Sequence, residues 1–166
     1  HMSKRDELIN KIQEDKNLKM IAIAGTHGKT TTTAMTVWAL NELGVKTSYL
    51  IPAKTGFADM GHFESGSDYF VYEADEYDRN FLAFHPTLSL ISGIDWDHAD
   101  IYPTRDEYYQ AFRQFISQSQ LTYLWQEDAA KLGVTSSNSI GIISYDDYAP
   151  QIDLKGEVNR RDAAIV

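Results

Sequence analysis

Between a short apolar run at residues 20–24 and a helix-compatible stretch at 29–43 stands Gly25-Thr26-His27-Gly28-Lys29-Thr30. A phosphate needs backbone N–H groups aimed inward, and glycine provides them by adopting positive φ. A helix N-terminus placed next to the loop adds unpaired N–H groups and the positive end of a dipole. In that arrangement Lys29 would neutralise β/γ-phosphate charge and the Thr30 hydroxyl would bind Mg²⁺. The longer phosphate-loop pattern asks for a glycine where this chain has Ile23, so the match is to a shorter form, G-T-x-G-K-T. The alternative is a plain strand–helix turn that carries a lysine. His27 lies within the loop, in position to face substrate.

Two further segments carry chemistry. Glu73 ends the β-rich run 69–72 and begins the acidic stretch Glu73-Ala74-Asp75-Glu76, with Asp78 close behind. Hard cations take oxygen ligands, and one or two carboxylates plus phosphate oxygens suffice for Mg²⁺. Glu73, fixed at a strand end, is the candidate metal ligand. Asp75, Glu76 and Asp78, taken singly, read as a solvated acidic turn. Asp95-Trp96-Asp97-His98 closes the run 88–94. His98 is either a metal ligand with a supporting partner or a satisfied structural histidine. His62 and His85 carry no comparable signal.

These segments need positioning. Residues 4–16 place Leu8, Ile9 and Ile12 on one side of a short amphipathic helix. Runs at 20–24, 47–51, 69–72, 88–94, 122–125 and 140–144 read as strands, the first buried on both faces in the manner of parallel sheets. Helices are expected at 29–43 with Gly44 at its end, at 127–132, and from a start at 103–107, where Thr104 and Glu107 have capping-box spacing and the helix they open carries Tyr108, Phe112 and Phe115. A glycine-rich loop fills 52–67. Gly156 precedes a polar segment that opens a possible helix through Asn159 and Asp162. This alternation predicts an α/β fold, a doubly wound, mostly parallel sheet flanked by helices, P-loop NTPase-like in form. Ligands of such sheets sit beyond the carboxyl ends of the strands. All three charged segments fall there, so they should share one crevice.

Composition narrows the function. The chain has 166 residues, 43% hydrophobic and 23% charged, enough for one domain with a full core. No cysteine is present, which removes disulfides, zinc–thiolate sites, iron–sulfur clusters and a cysteine nucleophile. A net charge of −9 argues against nucleic acid as a partner. No apolar run is long enough to span a membrane, and a cytoplasmic location is expected. No G-x-S-x-G turn offers a serine nucleophile. His1-Met2 reads as a cloning scar, leaving 3–166 as the domain.

On these residues the chain resembles the Mur ligases, ATP-dependent amide-bond-forming enzymes of peptidoglycan synthesis. Residues 25–32 resemble the family's nucleotide loop, which adds Thr31 to the cofactor-binding candidates Gly25, Thr26, His27, Gly28, Lys29 and Thr30. Tyr72-Glu73-Ala74-Asp75-Glu76-Tyr77-Asp78 with Phe81-Leu82 resembles its E-A-D/C-E segment, and residues 94–102 its N-I-x-x-D-H-x-D-x-Y segment. His27 and the E-A-D-E form are similar to the branch that joins L-alanine to UDP-N-acetylmuramate. The resemblance implies ATP and Mg²⁺ as cofactors, with Lys29, Glu73 and His98 as catalytic residues. It implies that Thr30 and Glu73 hold one metal and His98 a second. It also implies an acyl phosphate on the muramate carboxylate, which the alanine amine then attacks. The tail 154–162 resembles the family's adenine-contact segment and makes Asn159 and Asp162 adenine candidates.

Departures are visible as well. Gly93 stands where the family places asparagine and Val158 where it places histidine. Residues 51–54 lack a substrate-loop glycine pair. No lysine lies between His98 and Lys131, where other branches carry a carbamylated one. The expected organisation is the central ATP-binding domain alone, without the N-terminal UDP-binding and C-terminal closing domains, and inactive by itself as a ligase. Two alternatives are the central domain of another superfamily ligase (muramyl-tripeptide recycling or folylpolyglutamate-synthase-like) and a non-catalytic nucleotide-binding domain.

Overall fold

A computed structural model describes residues 4–56, 58–148 and 151–166; His1-Met2 lies outside them. The apolar run after the first helix forms β1 (Lys19–Ala24), whose last five residues are all buried. It pairs in parallel with β4 (Tyr69–Glu73) on one side and β5 (Leu88–Ile91) on the other. Beyond β4 lie β2 (Thr47–Leu50) and the two-residue β3 (Gly61–His62); beyond β5 lie β6 (Leu121–Trp125) and β7 (Ile140–Ile143). The sheet order is β3-β2-β4-β1-β5-β6-β7, and among the described strands only β3 is antiparallel to its neighbour.

Because side chains alternate across a strand, β1 feeds two cores. Met20, Ala22 and Ala24 face one core with Ile9 of α1 (Lys4–Lys16) and Phe112 and Phe115 of α3 (Arg105–Gln118); Ala129 and Leu132 of α4 (Gln126–Leu132) complete it. Ile21 and Ile23 face the other, with Val37 of α2 (Lys29–Glu42) and Ile165 at the end of α6 (Glu157–Ala164). Helices on both faces of a largely parallel sheet make the doubly wound α/β fold that the alternation predicts. The shortest helix, α5 (Tyr145–Tyr148), sits between β7 and the tail.

Several expectations need correction. Leu8 does not share the buried side of α1: it is 58% exposed while Ile9 is 5%. A helix of this length is held by one narrow stripe, and Asp6 instead of Leu8 completes it. The strand expected over 88–94 ends at Ile91: Ser92 N still bonds Ala24 O at the end of β1, and Gly93 O then turns to the phosphate loop and accepts from Thr26 N. Residues 77–83, unassigned from sequence, form two 3₁₀ turns joined by Asp78 (φ 52°) and Arg79 (φ 60°). The 52–67 loop contains β3. Helix α3 starts as read, with Thr104 Oγ1 accepting from Glu107 N at 3.2 Å.

Candidate functional site

The loop after β1 is built by two close approaches. Gly25 (φ 142°) lies so near β5 that a Cβ there would stand 2.5 Å from Ser92 Oγ and 2.8 Å from Gly93 O. Gly28 (φ 81°) caps α2, and a Cβ on it would stand 2.5 Å from Asp162 Oδ1. Both need glycine for φ; Gly25 needs it for space as well, since backbone stands in the way, whereas at Gly28 the crowding comes from the Asp162 side chain. The loop is then tied down. Thr26 Oγ1 donates to Asp95 O (2.7 Å), accepts from Asp95 N (2.9 Å) and touches the buried Tyr108 hydroxyl (2.8 Å). Ser92 Oγ donates to His27 O at 2.5 Å. His27 itself points into solvent, and Thr31 is half-buried in the first turn of α2.

From this frame Lys29 and Thr30 reach the end of β4. The Lys29 ammonium donates to Gly25 O at 2.7 Å and pairs with both carboxylate oxygens of Glu76, at 2.9 and 3.1 Å. Thr30 Oγ1 donates to Glu73 Oε2 at 2.8 Å. Burial pushes the Glu73 carboxyl above the usual carboxylate range; the Thr30 hydroxyl and Lys29 pull it back in part. A cation beside Glu73 would relieve that desolvation, and the hydroxyl–carboxylate oxygen pair suits a hard ion that completes its shell with phosphate and water. Among the described residues, no three His, Asp or Glu side chains gather closely enough to hold a metal unaided.

His98, in the left-handed region at φ 55°, contacts Glu76, Tyr77 and Asp97. Its Nε2 lies 3.6 Å from Glu76 Oε1, its ring meets the edge of Tyr77, and its backbone N bonds Asp97 Oδ1. Glu76, read from sequence as part of a solvated turn, is the main correction at the site. Its side chain is 1% exposed and stands between Lys29 and His98. No local pattern announces this, because its partner is 47 residues upstream.

The tail brings one of its two candidates to the loop. Asp162 is buried against Gly28 and Thr32, with one carboxylate oxygen unpartnered among the described residues. Burial pushes its carboxyl up to about 6, against the pull of Thr32 and Arg161. It lines a cavity of about 330 Å³ together with His27, Gly28, Gly93, Val158 and Arg161. Asn159 is exposed and outside the lining of this cavity, bonding Lys155 O at 2.9 Å. Sequence reasoning also missed the charged clip around this cavity. Arg161 pairs with Glu127 and lies over the Trp125 ring, and Lys131 pairs with Asp128 and Asp95 and donates to Ile94 O.

A doubly wound sheet with a glycine loop, lysine and hydroxyl at the first strand's end, facing a strand-end carboxylate, is the architecture of the phosphate-loop proteins. Residues 23–162 match the family described as "Mur ligase middle domain", and the chain belongs to the Mur ligase family. It is similar to a UDP-N-acetylmuramate–L-alanine ligase of Chloroflexus aggregans, 48% identical over 103 residues, which are 60% of this chain and 21% of that protein. Among solved structures, UDP-N-acetylmuramate-alanine ligase of Thermotoga maritima aligns with TM-score 0.69 and 25% identity, over 82% of this chain and 32% of that one. UDP-N-acetylmuramate:L-alanyl-gamma-D-glutamyl-meso-diaminopimelate ligase of Neisseria meningitides shares the fold, with TM-score 0.77 and 19% identity over 96% of this chain and 63% of that one. The chain thus spans about a fifth of the length of the Chloroflexus relative.

Proposed function

We propose that this chain is the ATP-binding central domain of a peptidoglycan-precursor ligase, and that the ligase joins L-alanine to UDP-N-acetylmuramate. The observation that carries the reading is the Thr30–Glu73 contact beside the Gly25–Lys29 loop: a hydroxyl from the first turn of α2 and a carboxylate from the end of β4, 43 residues apart, meet where a phosphate-bound Mg²⁺ would lie. In this reading the loop amides and Lys29 hold the β/γ-phosphates, and Thr30 and Glu73 hold the metal, which supplies charge neutralisation for phosphoryl transfer. His98, beside Glu76, is the second metal-binding candidate. Asp162 and the cavity beside Gly28 are the candidates for the adenine end; Asn159 would have to turn inward to join them.

The reaction proposed for the whole ligase has two steps. A muramate carboxylate oxygen attacks the γ-phosphorus and ADP leaves, giving an acyl phosphate. The alanine amine attacks the acyl carbon, loses a proton and expels phosphate, and an amide results. This domain's share is to position the nucleotide, since transfer of this kind depends mainly on placement and charge. Supporting the alanine branch are the identity to the Chloroflexus relative and the E-A-D-E acids at 73–76.

Calorimetric titration of the 166-residue chain with ATP, with and without Mg²⁺, tests the nucleotide reading. Mg²⁺-dependent binding is expected, and Lys29→Ala should weaken it at least about a hundredfold, the scale of a lost charge-assisted phosphate contact. Metal-independent binding that Lys29→Ala leaves intact would remove the site from this loop. Product analysis of the full-length protein with alternative amino acids decides the acceptor pair.

A further inference from the structure

The Glu76 carboxylate is a buried charge that the reading above leaves without a task. Taking a carboxylate out of water is costly unless it is paired. Here both its oxygens face the Lys29 ammonium, at 2.9 and 3.1 Å, and Oε1 also lies 3.6 Å from His98 Nε2. Its backbone is clamped: the Tyr102 hydroxyl and Arg79 N both donate to Glu76 O, at 2.6 and 3.1 Å. Lys29 has three N–H donors, and Gly25 O takes another of them. In the free chain the lysine is therefore folded back on its own loop and neutralised from below.

We infer that Glu76 is a specificity-determining residue of the phosphate loop: by pairing with Lys29 it makes the loop discriminate a metal-bound nucleotide from a bare polyphosphate anion. A bare di- or triphosphate that approaches Lys29 must share it with Glu76 and also meets Glu73, so two carboxylates oppose it. A nucleotide whose phosphates are partly neutralised by a divalent cation meets much less repulsion, and the same lysine can serve both anions. The repulsive element supplies the selectivity. The inference rests on the nucleotide reading and adds to it a residue outside the Thr30–Glu73 pair and the glycines, whose second neighbour is His98.

The test is the affinity of the 166-residue chain for ADP, measured by calorimetry in excess EDTA and again in Mg²⁺, for the wild type, Glu76→Gln and Glu76→Asp. Removing the charge in Glu76→Gln should tighten metal-free binding about tenfold and change metal-bound binding by less than about threefold, so the Mg²⁺ advantage shrinks. Glu76→Asp keeps the charge and should keep the wild-type ratio. An unchanged ratio in Glu76→Gln overturns the inference, as does an equal loss of affinity in both conditions with a lowered Tm, which would mark a purely structural role. Should the wild type bind ADP in neither condition, the nucleotide reading fails first and this inference with it. If Glu76→Gln does not fold, the ¹⁵N resonance of the Lys29 ammonium in the wild type decides. The pair should set it apart from the solvent-exposed lysines until Mg²⁺·ADP is added, and coincidence with them in the free chain overturns the inference.

Discussion

Glu73 and Glu76 are three residues apart and have opposite relations to their surroundings. Glu76 is buried with a full ionic partner; Glu73 is half-buried with a hydroxyl, and its carboxyl is raised by desolvation. A raised carboxyl stabilises the fold while protonated, in acid, and that contribution is lost as pH rises through its folded value. At neutral pH ionised Glu73 is therefore a local cost that a bound cation would offset. Glu73→Gln keeps an acceptor for Thr30 and removes the charge, so the free chain should be more stable than the wild type at pH 7.5, a trade of stability against function. Thermal melts should show this gain together with loss of the further rise that Mg²⁺ and ATP give the wild type. A variant that is less stable and still responds to Mg²⁺·ATP would show that Glu73 is structural.

At the scale of elements, the parts of the site that were legible in the sequence are those written in short local patterns. The glycine loop, its lysine and threonine, and the carboxylate ending β4 needed only a strand followed by a turn. The end of β5 was not legible, since it is settled by the phosphate loop across from it: Gly25 packs against Ser92 and Gly93, and Thr26 N takes Gly93 O. Nor was the docking of α6. The polar sequence 157–164 gives no apolar stripe, and it is held by Asp162 against Gly28 and Thr32 and by Arg161 over Trp125. That anchoring is pH-sensitive. With a folded value of about 6 against 3.8, Asp162 favours the folded chain fully below about pH 4, and the contribution is lost as pH rises through 6. Asp162→Asn cannot ionise. Relative to the wild type it should gain about 2 kcal/mol of stability between pH 4.5 and 7.5, read from denaturant unfolding at both values. A constant difference across that range would mean that Asp162 reaches water and titrates normally.

At the scale of the molecule, the crevice exists because three strand ends are fastened to one another across long stretches of chain. Thr26 is the fastening: it bonds both backbone groups of Asp95, 69 residues away, and the hydroxyl of Tyr108, 82 residues away on α3. Tyr108 is fully buried, and burial holds its phenol far above the ordinary range, so it is a neutral hydrogen-bonding group at any working pH. The two ends of this link differ in what they leave behind. In Tyr108→Phe, Thr26 keeps its bonds to Asp95, and the loss should be about 1 kcal/mol of global stability. In Thr26→Ala, the Tyr108 hydroxyl is stranded in the core and the Asp95 groups lose their partner, so about 2–3 kcal/mol should go. The double variant should cost less than the sum, because the stranded hydroxyl is gone. Amide hydrogen exchange separates stability from local order. Thr26→Ala should speed exchange at 25–30 and 92–98 beyond the global change, while Tyr108→Phe should follow the global change alone. Equal, additive effects confined to α3 would mean that the loop is held by its glycines and Ser92, with Thr26 a bystander.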